Sequence, residues 1–61
     1  LKEIERCILE AAPRADAEPI PMVKLARIAG YSCNGHFRGH VAKLIDLGLL
    51  VRLTGGVRKA A

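Results

Sequence analysis

Two stretches with helical periodicity are separated by only three residues, Gly30-Tyr31-Ser32, and this short connection constrains the fold more than any other feature. Residues 22–29 predict a short helix. Gly30 is expected to end that helix, because glycine readily adopts the left-handed conformation common at helix C-termini. Residues 32–47 predict the longest helix, with Ser32 as its N-cap. A glycine-containing link of about three residues is typical of two helices that pack against each other at a steep angle.

Both helices carry an apolar stripe at the spacing of a buried helix face. In the longer helix these residues follow the pattern i, i+4, i+7 and i+8, and Gly48 is the expected terminator. The members of this stripe are Phe37, Val41, Leu44 and Ile45. The shorter helix is expected to bury Met22, Leu25, Ala26 and either Ile28 or Ala29.

Residues 1–12 predict a further amphipathic helix at the start of the chain. Pro13 is expected to end it, because proline lacks the N–H group that would continue the hydrogen-bond ladder. Glu3 and Glu5 fall outside the apolar stripe and in the first turn, where the helix dipole favours negative charge. The expected buried stripe is Leu1, Ile4, Cys7, Ile8 and Ala11.

The segment 13–21 contains all three prolines of the chain and is therefore expected to be a connection. Ile20 lies between two of these prolines. We expect it to form an edge strand of one or two residues against a later hairpin, since proline is tolerated at sheet edges.

The last part of the chain, from about 50 to 60, changes to strand periodicity around two glycines, which predicts a β-hairpin. We favour a three-residue loop, Thr54-Gly55-Gly56, because it sets Leu53 opposite Val57 and pairs apolar with apolar. This register also sets Arg52 opposite Arg58. A two-residue Gly55-Gly56 loop is the alternative.

The length of 61 residues allows a single domain, 1–61, and the start at Leu1 suggests a piece of a longer protein. The net charge of +4 is unevenly placed. Residues 1–19 carry three basic and five acidic side chains, whereas residues 20–61 carry seven basic side chains and only Asp46 as an acid. This asymmetry favours a polyanionic partner for the second part.

The two cysteines, Cys7 and Cys33, are too few for a disulfide framework, and we expect both to be reduced thiols. No apolar run approaches the roughly 20 residues of a membrane span, and no secretory leader is recognisable. We therefore expect an intracellular protein, in cytoplasm or nucleoid, that has no membrane partner.

The order helix, short strand, helix, tight turn, helix, hairpin resembles a winged helix-turn-helix domain over nearly the whole chain. The resemblance is carried by Leu25-Ala26-x-x-Ala29-Gly30-Tyr31-Ser32 and by Phe37-x-x-x-Val41-x-x-Leu44-x-x-x-Gly48-Leu49-Leu50. It implies a mainly α fold of three helices with a small β-hairpin. It also implies binding of double-stranded DNA, with the third helix in the major groove and the hairpin wing on the flanking backbone, as in transcription regulation. The alternative is a winged helix that contacts a protein partner, or the remainder of the parent chain, within a larger assembly.

Under this resemblance the outward face of the third helix becomes the reading face. Gly35 and Gly39 lie opposite Phe37, with Arg38 on one flank. Arg38 suits guanine and Asn34 suits adenine, because their side chains match the major-groove edges of these bases. His36 is a further candidate for sequence readout on this helix. Side chains expected to contact backbone or groove edges are Lys43, Lys24, Arg27, Arg52, Thr54, Arg58 and Lys59.

A zinc site is the sharpest alternative use of the third helix, since Cys33-x-x-His36-x-x-x-His40 places one thiol and two imidazoles, both zinc-ligand types, on one flank. Cys7 would have to be the fourth ligand, but it belongs to a core stripe. The second ligand pair of a structural site is missing, so no metal or cofactor is expected.

Catalysis is not expected either. No carboxylate is placed near a histidine except Asp46, which lies on a different face from His40. Ser32 is accounted for as a cap, and no glycine-rich phosphate loop occurs.

Overall fold

The computed structural model describes all 61 residues and contains three helices followed by one antiparallel hairpin. This confirms a mainly α fold with a small β-hairpin, in a layout compatible with a winged helix. No helix has the length and apolar composition that crossing a membrane requires. The elements are α1 (Glu3–Ala11), α2 (Met22–Ala29), α3 (Gly35–Asp46), β1 (Leu50–Leu53) and β2 (Gly56–Lys59).

Helix α2 has the predicted boundaries. Gly30 follows it with φ +87°, and the N–H group of Gly30 donates to the carbonyl oxygens of Ala26 and Arg27. This geometry confirms the predicted left-handed end of the helix. Of the two residues predicted as alternatives for its last buried position, Ala29 is half-buried and Ile28 is 55% exposed.

Helix α3 begins three residues later than predicted, and Ser32 is not its N-cap. Oδ1 of Asn34 accepts a hydrogen bond from the N–H group of Phe37 at 3.0 Å, which is the geometry of a side-chain N-cap. The connection after α2 therefore runs from Gly30 to Asn34. Asparagine and serine are nearly equal as caps, so the local sequence alone does not choose between them.

The C-terminus of α3 is closed by a Schellman motif. Gly48 has φ +80°, and its N–H group donates to the carbonyl of Ile45 at 3.0 Å. The N–H group of Leu49 donates to the carbonyl of Leu44, also at 3.0 Å. This pair of bonds satisfies two of the carbonyls that every helix end leaves open, and it confirms Gly48 as the terminator.

The predicted edge strand at Ile20 is confirmed by an isolated bridge to Val57. The N–H group of Ile20 donates to the carbonyl of Val57 at 3.1 Å, and the reverse bond measures 2.9 Å. The proline-rich connection thus lies along β2 and leaves β1 as the outer strand of the hairpin.

The hairpin register differs from both predicted alternatives. The loop consists of Thr54 and Gly55, so that Leu53 faces Gly56 and Arg52 faces Val57. Gly55 has φ +96° and Thr54 does not have a positive φ, which is the sign pattern of a type II turn. Cross-strand pairing of apolar residues did not decide the register. Val57 faces Arg52 across the hairpin, packs in the core and forms the bridge to Ile20.

The core is formed where all three helices meet the hairpin. Leu1, which was predicted to belong to the buried stripe of α1, does not belong to the core. The helix begins at Glu3, and Leu1 is 65% exposed. One charged residue, Glu5, is completely buried beside the core. The buried apolar residues are Ile8, Ala12, Leu25, Ala26, Phe37, Val41, Leu44, Leu50 and Val57.

Candidate nucleic-acid interface

The outer face of α3 is open to solvent, as the helical spacing predicted. Gly35 and Gly39 lie one turn apart, and a Cβ atom added to either would meet nothing within 4 Å. His36 and Arg38 are exposed beside them. A flat helix face with small residues lets another surface approach the backbone closely, while Arg38 supplies a fork of donors at its edge.

Asn34 lies at the N-terminal end of this face, but its side chain already forms a hydrogen bond within α3. Its carbonyl oxygen caps α3 through the N–H group of Phe37. The amide nitrogen of the side chain carries the two N–H donors that can still point outward. Reading of adenine by Asn34 stays a prediction.

A buried carboxylate on α1, that of Glu5, contacts two side chains of α3. Oε2 of Glu5 lies 3.0 Å from Nδ1 of His40 and 3.4 Å from Nζ of Lys43. Oε1 of Glu5 accepts a hydrogen bond from the N–H group of Lys2 at 3.1 Å. The expectation that no carboxylate other than Asp46 lies near a histidine was therefore wrong.

These contacts explain the acidity of the buried group. The hydrogen bond from His40 contributes most to lowering the pKa of Glu5 from 4.5 to about 2, followed by the N–H group of Lys2 and by Lys43. Burial opposes this shift but does not outweigh it. The Lys43 side chain is 54% exposed, so its ammonium group also reaches solvent. Its predicted phosphate contact stays a prediction.

A sequence signal for the burial of Glu5 existed. Glu5, Ile8 and Ala12 are spaced i, i+3 and i+7, which places them on one helix face. The stripe chosen from the sequence was centred on Ile4 and Ala11 instead, because it counted only apolar residues. The partners of Glu5 on α3, His40 and Lys43, lie 35 and 38 positions along the chain, so local periodicity could not reveal them.

The basic residues of the hairpin differ in their exposure to solvent. Arg52 is exposed, as is the neutral Thr54 in the loop. Arg58 is half-buried, and its guanidinium group donates to the carbonyl of Ala17 at 2.9 Å, which ties the proline-rich connection to β2. Its Nε atom is buried without a hydrogen-bond partner. Lys59 is half-buried, and its backbone N–H group donates a hydrogen bond to the carbonyl of Pro13.

Helix α2 adds two further exposed cations, Lys24 and Arg27. Neither has a carboxylate within ion-pairing distance. Among the Lys and Arg residues of 20–61, only Lys43 forms an ion pair. The other ion pair that involves a lysine or arginine joins Arg14 to Asp16.

Tyr31 lies in the connection between α2 and α3. Its ring centroid is 6.4 Å from that of Phe37, at an interplanar angle of 32°. Burial of the hydroxyl group raises the pKa of Tyr31, and the nearby Cys7 thiol adds to this effect. The ring therefore packs across the turn between α2 and α3.

The three residues of the zinc alternative do not form one cluster. Cys33 is a half-buried free thiol, and no group of three or more His, Cys, Asp or Glu side chains is placed to hold a metal ion. The rings of His36 and His40 are neighbours, with centroids 4.7 Å apart.

No protein-family model matches the chain, and no match was found among curated proteins or solved structures.

Proposed function

We propose that this chain binds double-stranded DNA as a winged helix-turn-helix domain, with α3 in the major groove and the hairpin on the flanking backbone. The observation that carries the proposal is the excess of exposed cations without acidic partners on α2, α3 and β1. They are Lys24, Arg27, Arg38 and Arg52.

Unpaired cations are suited to phosphate contacts because their charge is available to an incoming polyanion. Each phosphate that they neutralise releases condensed counterions, and this release supplies much of the affinity for DNA. Specificity in such an interface comes from side chains that reach base edges. On α3, Arg38 is the exposed side chain whose paired donors match the two acceptors of guanine.

The glycines of α3 support the same proposal. A glycine inside a helix costs about 0.5–1 kcal/mol relative to alanine, and Gly39 lies in the interior of α3. Since no neighbouring atom explains the absence of a side chain there, close approach of a partner's surface gives the position a purpose.

The direct test is a fluorescence-anisotropy titration of the chain against a mixed-sequence duplex of about twenty base pairs at several salt concentrations. We expect log K to fall linearly with log salt, with a slope of about −0.9 for each phosphate contacted. Absence of binding at low salt would refute the proposal.

A protein partner is the second candidate function, and the exposed apolar side chains favour it. Seven large apolar residues are exposed, and where such residues are contiguous they mark a protein-binding surface. In that case the chain would bind DNA weakly or with little dependence on salt. These residues are Leu1, Val23, Ile28, Tyr31, Leu47, Leu49 and Leu53.

A further inference from the structure

Two histidines on α3 form a close pair. His36 and His40 are spaced i, i+4, and their ring planes meet at 79°. His36 is exposed, and the His40 side chain retains 14% exposure. Because residues at this spacing share one helix face, both imidazoles can direct a nitrogen to the same point, as in helical two-histidine metal motifs.

The distance between the rings fits a shared metal ion. Zn–N bonds measure about 2.0–2.1 Å, and a ring nitrogen lies about 1.1 Å from its centroid, so two imidazoles on one ion have centroids roughly 4.5–5.3 Å apart. The observed centroid separation of 4.7 Å falls within this range. The exposed ring of His36 can reorient about its side-chain bonds, so converging the two nitrogens does not require a movement of the helix.

His40 also has the support that metal-binding histidines usually have. Such histidines commonly donate the N–H of the non-coordinating nitrogen to a carboxylate, which orients the ring and fixes its tautomer. Here the carboxylate is Glu5, 3.0 Å from Nδ1. This bond places the proton of a neutral imidazole on Nδ1 and leaves the lone pair of Nε2 available.

Lys43 contacts the same carboxylate from the next turn of α3. Its Nζ atom lies 3.4 Å from the same oxygen of Glu5 and balances the negative charge. Glu5 therefore has two partners on α3, His40 and Lys43.

We propose that His36 and His40 form a surface binding site for a first-row divalent transition metal, represented by Zn²⁺, with Glu5 as the positioning residue of His40. Imidazole ligands suit zinc, copper and nickel. Two protein ligands leave at least two positions of a tetrahedral ion to water or to an oxygen donor from outside. The proposal stands on the histidine geometry and is independent of DNA binding.

The test is calorimetric titration of the whole chain with ZnCl₂ at neutral pH, with the thiols kept reduced. Wild type is expected to bind one Zn²⁺ per chain. His36→Ala should abolish this binding, and circular dichroism is expected to show an unchanged fold because His36 is exposed. Cys33→Ser is the matched control and should bind zinc as wild type does.

Glu5→Gln tests the positioning role separately. Loss of such an orienting carboxylate typically weakens metal binding about 10–100-fold, and NMR of the imidazole protons should show Zn²⁺ shifting His36 and His40 together in wild type. Failure of wild type to bind Zn²⁺ would overturn the proposal. Binding that survives His36→Ala, or that disappears in Cys33→Ser, would overturn it as well.

Discussion

The Glu5 carboxylate accepts a hydrogen bond from Nδ1 of His40 at 3.0 Å and so joins α1 to α3 across 35 positions of the chain. The carboxylate is completely buried, and Lys43 and the N–H group of Lys2 complete its surroundings. A buried charge is tolerated when it is paired and hydrogen-bonded, and removal of its partners is costly. Glu5 therefore orients the helix that carries the proposed interface.

The low pKa of Glu5 predicts acid sensitivity. Its pKa is about 2 in the folded chain against an ordinary value of 4.5. The unfolded chain therefore binds more protons in this window, and the stabilisation, complete above about pH 5, is lost as the pH falls towards 2. Urea denaturation at a series of pH values should show the free energy of unfolding declining over that range.

Two variants separate this effect from the general titration of carboxyl groups. Glu5→Gln should be less stable at neutral pH and should show a weaker dependence on acid. Glu10→Gln makes the same chemical change at an exposed position of α1 and should keep the wild-type dependence. Equal pH profiles for wild type and Glu5→Gln would contradict the assignment.

Gly56→Ala is expected to detach the Ile20 segment from the hairpin. A Cβ atom at position 56 would overlap the carbonyl group of Ile20, and the φ of +144° is itself unfavourable for alanine. Loss of the two backbone hydrogen bonds between Ile20 and Val57 should cost about 1–3 kcal/mol of unfolding free energy. Hydrogen exchange should report faster exchange of both amides, and unchanged exchange would contradict this account.

Gly39→Ala should have the opposite effect on stability. No atom from outside the local helix backbone lies within 4 Å of the added methyl group, so alanine should raise the free energy of unfolding by about 0.5–1 kcal/mol. If α3 lies closely against DNA, the same methyl group should weaken binding in the anisotropy assay. A variant that is more stable and binds equally well would exclude close contact at this position.

Arg38→Ala should weaken binding to a preferred DNA site by about 1–3 kcal/mol and relax the sequence preference there. Arg6→Ala is the matched control, since Arg6 is an exposed arginine on α1 and its loss changes the net charge equally. Competition with duplexes of different sequence distinguishes the two. Similar losses for both variants would mean that net charge alone, and not readout by α3, governs binding.

The two hairpin arginines should separate affinity from stability. Arg52 is exposed and unpaired, so Arg52→Ala should lower the salt slope by about one without loss of stability. Arg58 donates to the carbonyl of Ala17, so Arg58→Ala should also lower the free energy of unfolding, by about 0.5–1.5 kcal/mol for one hydrogen bond. Paired salt titrations and thermal melts would show whether the roles divide in this way. A destabilised Arg52→Ala variant would contradict this division.

Much of the candidate interface could be predicted from helical spacing. The exposure of Gly35, Gly39, Arg38 and His36 follows once Phe37 is placed in the core. The availability of each cation could not be predicted in this way. Lys43 and Arg58 resemble the free basic residues in the sequence, but distant groups on α1 and in the proline-rich connection contact them.

Local chemistry in the sequence determined the presence of three helices, the glycine ends of α2 and α3, the proline-rich connection and the presence of a hairpin. Each of these depends on residues within about one helical turn or one β-turn, so periodicity and backbone preference are sufficient. Tertiary structure decided which of Ser32 and Asn34 caps α3, which register the hairpin adopts, and that Glu5 is buried. Those outcomes depend on competition between nearly equal local choices or on partners far away in the chain, and only packing of the assembled elements resolves them.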